Sequence, residues 1–263
     1  MNSSTDSTLD KPVHLKLRPV ESKLKDLISA QGSICVGLID SENISPSDAA
    51  EMASKAEACG VKAILVGGST AIDQLELDAV VTQIKKDVTC DVILFPGNVT
   101  GVAPKADAIF FSCLMNSDNP YFITEAQALG ALAVKKYNIE AIPMAYLIIG
   151  DGGAAGFIGR SRGIPRNKPG LAAMYALAAQ YFGMRFVYLE AGSGVEGQVP
   201  SEMVATVRRV YNGILVVGGG IKSAKEAKEA ADAGADIIVI GSMLESTGFE
   251  SALRDICASI SRK

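Results

Sequence analysis

Short, nearly continuous apolar runs recur along the chain, and amphipathic stretches with a period of about 3.6 residues separate them. Apolar runs of this kind are typical of parallel strands that helices cover on the outside. The eight predicted strands are residues 34–40, 62–68, 91–97, 107–114, 142–150, 185–192, 213–220 and 236–242. The alternation predicts an α/β fold of the TIM, or (β/α)8 barrel, class.

The stretches between the strands carry helix signals. In the clearest one, Ser45 is an N-cap candidate, Pro46 takes the first helical position and Gly60 ends the helix. The other predicted helices are residues 71–86, 121–137, 168–183, 201–212, 222–233 and 247–260. These segments would form the outer layer of the barrel.

One connection breaks the pattern. Residues 96–107 read PGNVTGVAPKAD, and their two glycines and two prolines are incompatible with a regular helix. A crossover between parallel neighbours needs about a dozen residues, so an extended strap fits here. We therefore predict a modified barrel that lacks the third helix.

The length of 263 residues suits one barrel. Residues 1–12 are polar and are expected to form a disordered tail, which leaves residues 13–263 as a single domain. No hydrophobic signal core and no run of about 18 apolar residues is present, so we expect neither export nor a transmembrane segment. The five cysteines form no C-x-x-C pair, which indicates structural thiols in a reducing cytoplasm.

Charge and histidine content exclude several classes of protein. The formal net charge of −4 gives no basic field for a nucleic acid, so none is expected as a partner. The sole histidine, His14, precedes the first strand, far from the rim where catalysis occurs in a barrel. A Ser-His-Asp triad and a zinc hydrolase site are therefore not expected.

Glycines follow the last two strands, in GGGIKS at 218–223 and in GSMLES at 241–246. Glycine lets the backbone approach an anion, and N–H groups at a helix N-terminus bind it; barrels hold phosphate at this position. The pattern predicts a phosphate site that includes Gly219, Gly220, Gly241 and Ser242. The alternative is that these glycines only turn the chain.

The sixth strand ends in YLEAGSG, residues 188–194, with Tyr188 and Glu190 near its tip. A carboxylate that interrupts an apolar strand end indicates a catalytic base or a ligand of a substrate hydroxyl. The alternative is an ion pair with a basic neighbour inside the barrel.

Asp40 ends the first strand and Ser69 follows the second, so both are expected at the same rim. Oxygen ligands of this kind suit Mg²⁺, which takes one or two carboxylates and bridges to substrate phosphates. The alternative is that Asp40 and Ser69 cap the helices that follow them.

Residues 150–170, the lid segment, contain seven glycines together with Arg160, Arg162, Arg166 and Lys168. We expect a mobile cationic loop over the barrel mouth, where arginine side chains could bind a diphosphate. The alternative is a solvated insertion.

The sequence resembles the geranylgeranylglyceryl phosphate synthase family. The resemblance lies in the motifs YLEAGSG, VGGGIKS and VIGS, and in LID and VGGST at the first two strands. The resemblance spans nearly the whole chain and implies a cytosolic prenyltransferase. It would join geranylgeranyl diphosphate to the C3 hydroxyl of sn-glycerol 1-phosphate and release diphosphate, the first ether-bond step of archaeal phospholipid synthesis. Mg²⁺ is the implied cofactor, and a dimer-based homo-oligomer such as a hexamer is the implied assembly.

Carried over position by position, the resemblance implies Asp40 and Ser69 as metal ligands, and Glu190 and Tyr188 as catalytic residues. The implied glycerol phosphate site consists of Tyr188, Leu189, Glu190, Ala191, Gly192, Ser193, Gly194, Gly219, Gly220, Gly241 and Ser242. Arg160, Arg166 and Lys168 are the expected diphosphate ligands of the lid segment. Two departures stand out: Ser41 replaces the usual proline before Glu42, and the lid segment lacks a proline before its glycine pair.

Other functions share parts of this pattern. A sister prenyltransferase with a longer donor would carry the same motifs. Phosphosugar isomerases and aldolases also have glycine tips after strands seven and eight, but no strand here ends in the lysine that a Schiff-base aldolase needs. A catalytically silent phosphate-binding scaffold is the third alternative.

Overall fold

The computed structural model describes residues 18–42, 44–68 and 73–261. Within them, eight parallel strands close into a barrel in which each strand pairs with the next and β8 pairs with β1. The strands are β1 Ile34–Asp40, β2 Ala63–Gly67, β3 Asp91–Leu94, β4 Ala108–Leu114, β5 Glu140–Ile148, β6 Phe186–Glu190, β7 Ile214–Gly218 and β8 Ile237–Ile240. The predicted barrel class is confirmed.

Helices surround the barrel. They are α1 Pro19–Gln31, α2 Pro46–Ala58, α3 Gln74–Asp87, α4 Ala126–Lys136, α5 Gly153–Ile158, α6 Pro169–Tyr181, α7 Ser201–Arg208, α8 Ala224–Asp232 and α9 Glu250–Ile260. A π-helical turn, Tyr121–Glu125, precedes α4, and a 3-10 turn, Ser242–Glu245, follows β8. Ser45 caps α2 as predicted, because its side chain accepts a hydrogen bond from the Asp48 N–H.

The third helix of the regular barrel is absent, as predicted. Residues 95–107 connect β3 to β4 without a helix, and we call them the strap. The strap lies beside the barrel mouth, and a gap remains between it and α4. This gap is the main departure from a regular barrel and has consequences for the site.

Helix α1 was not among the predicted helices, and it lies under the amino-terminal end of the barrel. Val20 and Leu24 are buried against the barrel interior, and the Glu140 carboxylate accepts hydrogen bonds from the backbone N–H groups of Val20 and Glu21. Leu27 and Ile28 pack against the same cluster, so the apolar positions Val20, Leu24, Leu27 and Ile28 follow a helical period that was available in the sequence. Tertiary contacts with β5 stabilise it.

Strand alternation sorts the core into two layers. On β6, Phe186, Tyr188 and Glu190 are on the side that faces the barrel interior, whereas Val187 and Leu189 pack against the helices. The same alternation puts Tyr146 of β5 level with Tyr188 inside the barrel. Polar groups of neighbouring strands therefore converge at the carboxyl end.

Several predictions fall on residues that the structure does not describe. The predicted tail at residues 1–12 and His14 lie outside the described residues, and the domain boundary at residue 13 stays a prediction. Ser69 also lies outside them. Of the helices that the structure describes, none has the length and apolar character needed to cross a membrane.

Candidate active site

A cavity of about 220 Å³ opens at the carboxyl end of the barrel. Asp40, Tyr188, Glu190, Ser193 and the tips of β7 and β8 line its inner part. From there it continues as a groove between the strap and α4, in the gap that the missing helix leaves. The structure thus brings Asp40, the predicted catalytic residues Tyr188 and Glu190, and the glycine tips to one cavity, with an apolar extension to one side.

Glu190 is the most deeply buried carboxylate of this cavity, with 6% of its surface exposed. Its Oε1 accepts a hydrogen bond from the Gly192 N–H at 2.6 Å, and the hydroxyls of Tyr188 and Tyr146 also donate to the carboxylate. Burial raises the pKa of Glu190, and these three hydrogen bonds only partly lower it again. Within the described part of the chain no basic side chain pairs with Glu190, so a carboxylate with a raised pKa fits a proton acceptor better than an ion pair.

Tyr188 and Tyr146 belong to an aromatic layer across the barrel. Phe95 stacks on Tyr188 with ring centroids 5.4 Å apart, and Tyr146 meets both rings edge-on at 5.2 Å. Burial, followed by the charge of Glu190, raises the pKa of both tyrosine hydroxyls, so they stay protonated and act as hydrogen-bond donors. Packing within this layer holds the hydroxyls of Tyr188 and Tyr146 beside the Glu190 carboxylate.

The sequence analysis missed Tyr146. The available signal was a polar hydroxyl inside the otherwise apolar fifth strand, two residues before its observed end at Ile148. Only the register of β5 against β6 shows that this hydroxyl reaches Glu190.

The glycine tips are shaped for close backbone approach. Gly219 and Gly220 have φ of 81° and 73°, values that side chains rarely adopt. A Cβ on Gly219 would lie 2.4 Å from Glu190 Oε1 and 2.6 Å from the Gly192 nitrogen. The tip of β7 therefore fits against the end of β6 only as glycine.

The helices after the two tips differ from each other. After β8 the 3-10 turn begins at Ser242, directly beyond Gly241. After β7, α8 begins only at Ala224, and its first turn is capped by Ser223 and Glu226. A helical turn therefore follows the tip of β8 directly, whereas Gly219, Gly220 and Ile221 line the cavity before α8 begins.

The other residues predicted to form the glycerol phosphate site divide into two groups. Leu189 and Ala191 are buried on the helix side of the barrel wall, so only their backbone could meet a ligand. Gly192 and Gly194, with φ of 107° and 73°, form the turn after β6 that presents Ser193 to the cavity. A Cβ on Gly192 would lie 2.5 Å from the backbone of Gly152, so the turn packs closely on the lid segment.

Asp40 lies at the exposed end of β1, within the cavity. Burial of part of the group raises its pKa, the Glu42 N–H that donates to Oδ1 at 3.0 Å lowers it, and the charges of Glu42 and Glu245 raise it further. This side of the cavity therefore concentrates negative charge.

Mg²⁺ needs only one or two protein carboxylates when substrate phosphates and water complete its shell. Asp40, beside the charges of Glu42 and Glu245, meets that requirement. Among the described residues there is no cluster of three or more metal-ligating side chains, so a site made by protein alone is not present there.

The lid segment is not a loop along its whole length, so the prediction of a loop is wrong for the residues of α5. It contains α5, and the Asn116 side chain bonds the backbone at Ile148 on one side and Arg162 on the other. Ser117 Oγ donates to the Gly159 carbonyl at 2.6 Å. These buried hydrogen bonds hold the segment against the end of β4.

The predicted cations of the lid segment do not line the cavity. Arg160 pairs with Asp118 at 3.1 Å, and the Arg166 guanidinium donates to the carbonyls of Gly197 and Gln198. Lys168 is exposed at the start of α6. Their role toward a diphosphate stays a prediction.

Comparison with known proteins agrees with these features. The model of the PcrB family matches residues 28–260. Geranylgeranylglyceryl phosphate synthase of Nitrosopumilus maritimus is 55% identical over 243 residues, which cover 92% of this chain and 97% of that protein. The synthase of Thermococcus kodakarensis is 50% identical over 248 residues, which cover 94% and 98%.

Solved structures give the same result. The (S)-3-O-geranylgeranylglyceryl phosphate synthase of Thermoplasma acidophilum, in complex with its substrate sn-glycerol-1-phosphate, has a TM-score of 0.87 and 41% identity, with 90% of this chain and 97% of that one covered. The Thermoplasma volcanium enzyme has a TM-score of 0.89 and 37% identity, with coverage of 94% and 100%. Thiamine phosphate pyrophosphorylase of Pyrococcus furiosus, at 15% identity, 86% and 95% coverage and a TM-score of 0.56, shares the fold alone.

Proposed function

Because this chain belongs to the PcrB family, we propose that it catalyses the reaction of its geranylgeranylglyceryl phosphate synthase relatives. The C3 hydroxyl of sn-glycerol 1-phosphate attacks the first carbon of geranylgeranyl diphosphate. A carbon–oxygen ether bond forms, the bond to the diphosphate breaks, and the hydroxyl proton leaves. The observation that carries the proposal is Glu190, a buried carboxylate between the glycine tips and an apolar groove.

Sn-glycerol 1-phosphate occupies the inner part of the cavity in this proposal. Its phosphate lies against the tips of β7 and β8, at Gly219, Gly220, Gly241 and Ser242. The left-handed glycines at β7 let the backbone come within hydrogen-bond distance of phosphate oxygens. Tyr188, Glu190 and the turn Gly192–Gly194, together with the backbone of Leu189 and Ala191, surround the glycerol.

Glu190 accepts the proton of the C3 hydroxyl. Its raised pKa makes it a stronger base than an exposed carboxylate, while the hydrogen bonds from the Gly192 N–H and two tyrosine hydroxyls stabilise its ionised form and lower the pKa part of the way back. Tyr188 and Tyr146 also fix the direction in which the carboxylate points. Holding the nucleophile and the donor carbon together then lowers the barrier further.

Asp40, with Ser69, is the proposed ligand set for Mg²⁺ at the donor side. A bound ion supplies charge stabilisation for the departing diphosphate. The Asp40 carboxylate lies near the negative charges of Glu42 and Glu245, and this negative charge would attract the ion. Arg160, Arg166 and Lys168 are the proposed further diphosphate ligands, which would require Arg160 to exchange its pairing with Asp118.

The groove between the strap and α4 is the proposed site of the C20 chain. Burying hydrocarbon contributes about 0.8 kcal/mol per CH₂, so a long apolar channel binds such a donor tightly. Val99 and Val102 of the strap face Val134 of α4 across this space. A regular third helix at this position would occupy it.

Gly130 of α4 offers a test of this placement. It lines the groove, and a Cβ at this position would have no neighbour within 4 Å. We expect Gly130→Leu to fill the groove and to lower kcat/KM for the C20 diphosphate by roughly tenfold. The KM for sn-glycerol 1-phosphate should not change.

The matched control is Gly170→Leu, because Gly170 lies exposed on α6 and also has open space around it. Rates with C15, C20 and C35 diphosphates would be compared for both variants. An unchanged C20 rate in Gly130→Leu would contradict the proposed groove. A wild-type preference for C35 would instead indicate a longer natural donor.

The central experiment uses radiolabelled sn-glycerol 1-phosphate and geranylgeranyl diphosphate with and without Mg²⁺. Labelled ether lipid should form only with both substrates and the metal. In Asp40→Asn we expect the Mg²⁺ concentration for half-maximal rate to rise by roughly tenfold or more, because one anionic ligand is lost. Asp232→Asn, which makes the same change on the outside of α8, is the control.

Product without Mg²⁺ would contradict the metal assignment. No product under any condition would favour a scaffold over an enzyme. These two outcomes separate the metal proposal from the reaction itself.

The cellular setting and assembly are also proposals. All five cysteines are free thiols in the structure, which suits a cytoplasmic protein. On α6 and just beyond its end, Leu171, Met174, Tyr181 and Phe182 expose large apolar surfaces, which supports a dimer-based homo-oligomer such as a hexamer. Light scattering would measure the mass in solution.

A further inference from the structure

The groove beside α4 has a polar side chain on an otherwise apolar helix face. Gln127, Gly130 and Val134 follow one another at helical spacing and form the stripe of α4 that lines the groove. Of the α4 residues in this stripe, all of which the structure describes, only Gln127 carries a polar group. The reaction proposed above gives this amide no role.

Strand β4 forms the opposite wall of the groove, and one of its edges is only partly paired. Its pairing with β3 ends at Ile109, whereas its pairing with β5 continues to the end of the strand. The Met115 N–H donates to the Tyr146 carbonyl of β5. Backbone groups of successive residues point to opposite edges of a strand, so the carbonyl of Ser112 points to the edge that β3 has left. A polar backbone group therefore lies beside an apolar groove.

The Gln127 amide bonds this carbonyl in place of a neighbouring strand. Its Nε2 donates to the Ser112 carbonyl at 2.5 Å and to the carbonyl of Phe122, in the π-helical turn, at 3.1 Å. Both amide hydrogens are thus used. The Oε1 atom is buried and has no hydrogen-bond partner among the described residues. The side chain therefore pairs two carbonyls of the groove and leaves one oxygen of its own unpaired.

We propose that Gln127 is a specificity-determining residue for the prenyl donor, because it makes this wall of the groove suitable for hydrocarbon. The inference rests on the proposed function, in which the C20 chain lies in the groove. While Ser112 and Phe122 are bonded to the amide, hydrocarbon can lie against them without removing water from their carbonyls. Without the amide, water would bind these carbonyls in the free protein, and the donor would have to displace it.

The effect should depend on the length of the donor chain. The diphosphate and the reacting carbon belong to the inner cavity in the proposed function, near Asp40 and Glu190, whereas Gln127 lies in the groove. A C5 diphosphate has the same head as the C20 donor but too little hydrocarbon to fill the groove. Gln127 should therefore act on the discrimination between long and short donors and not on the chemical step.

Calorimetric titration of the full-length protein with geranylgeranyl diphosphate and with dimethylallyl diphosphate tests the proposal. Mg²⁺ is present and sn-glycerol 1-phosphate is omitted, so that no turnover occurs. In Gln127→Met, which has an apolar side chain of similar length, the Kd for the C20 diphosphate should rise by roughly tenfold. The Kd for the C5 diphosphate, and kcat at saturating C20 donor, should not change. A general structural defect would instead raise both Kd values together.

Gln83→Met is the matched control. Gln83 lies on α3, where its amide donates to Asp87 in an exposed hydrogen bond, so the same change there should leave both Kd values unaltered.

A second variant, Gln127→Glu, keeps the shape of the side chain but loses both N–H donors. The ratio of the C20 Kd to the C5 Kd should rise by roughly tenfold or more, and using the ratio removes any effect of the new charge on the diphosphate. This variant provides the same comparison if circular dichroism shows that Gln127→Met is unfolded.

An unchanged or lower Kd for the C20 diphosphate in Gln127→Met would overturn the proposal. A lower value would show that the unpaired Oε1, and not the two N–H groups, determines how the chain binds. Failure of the wild type to bind the C20 diphosphate would overturn both this inference and the proposed function. Binding with the expected loss in Gln127→Met, but without ether product from the wild type, would support the role of Gln127 and contradict the proposed reaction alone.

Discussion

Replacing Glu190 with Gln is expected to lower kcat by roughly 10²- to 10⁴-fold, the usual contribution of a general base. The amide preserves the shape of the side chain and one oxygen that can accept from the Gly192 N–H, but it has no negative charge to receive a proton. Binding of sn-glycerol 1-phosphate should remain, because the glycine tips of β7 and β8 are untouched. Steady-state kinetics together with calorimetric titration of sn-glycerol 1-phosphate would separate the two effects.

The pH dependence of kcat/KM is a second test of the role of Glu190. Glu190 works as the ionised base, so activity is lost as the pH falls through its pKa. Because burial raises that pKa, the acid limb of kcat/KM should lie above the ordinary range of a glutamate. In Glu190→Gln this limb should disappear from the residual activity.

Glu196→Gln is the matched control. Glu196 lies exposed in the loop after β6, six residues beyond Glu190, and the same isosteric change there should leave turnover unaffected. If Glu190→Gln turned over at the wild-type rate with an unchanged acid limb, the proposed proton transfer would be wrong.

Gly219→Ala should reduce kcat/KM for sn-glycerol 1-phosphate by roughly a hundredfold or more. The new methyl group meets Glu190 Oε1 at 2.4 Å and the Gly192 nitrogen at 2.6 Å, and the backbone has φ of 81°. Both the carboxylate and the turn after β6 must then move, and small displacements of reacting groups cost about this much. The loss should appear in both a lower kcat, because the Glu190 carboxylate moves, and a higher KM for sn-glycerol 1-phosphate, because the backbone at the tip of β7 moves.

A second glycine isolates the steric part of this effect. Gly248 also has a left-handed backbone, with φ of 74°, but a Cβ there would meet nothing within 4 Å. Gly248→Ala should therefore cost about 1 kcal/mol of backbone strain in unfolding experiments and leave the kinetics intact. Equal kinetic losses in both variants would show that strain, and not the contact with Glu190, explains the result.

Much of the fold could be predicted from local patterns in the sequence. Alternating apolar runs and amphipathic stretches predicted all eight strands, since a strand buried on both faces must be apolar along its length. The glycines and prolines of residues 96–107 predicted the missing helix for an equally local reason, because these residues disfavour helical backbone. Strand ends were overestimated: β3 stops at Leu94 because the strap turns away at Phe95 and Pro96.

The candidate site was predictable where its residues follow strand ends. Asp40, Glu190 and the glycine tips lie at the rim because parallel strands all end on one side of a barrel. The lid segment was not predictable in the same way. Its order comes from Asn116 and Ser117, which belong to another connection and meet it only in the folded chain.

By itself the sequence determined the barrel, the missing helix and the rim residues, because each depends on neighbouring positions or on a fixed spacing along the chain. Only the tertiary structure decided that α1 lies beneath the barrel and that Tyr146 donates to Glu190. Each of these contacts joins residues on different elements of the fold. Strand register and helix packing set such contacts, and no local pattern encodes them.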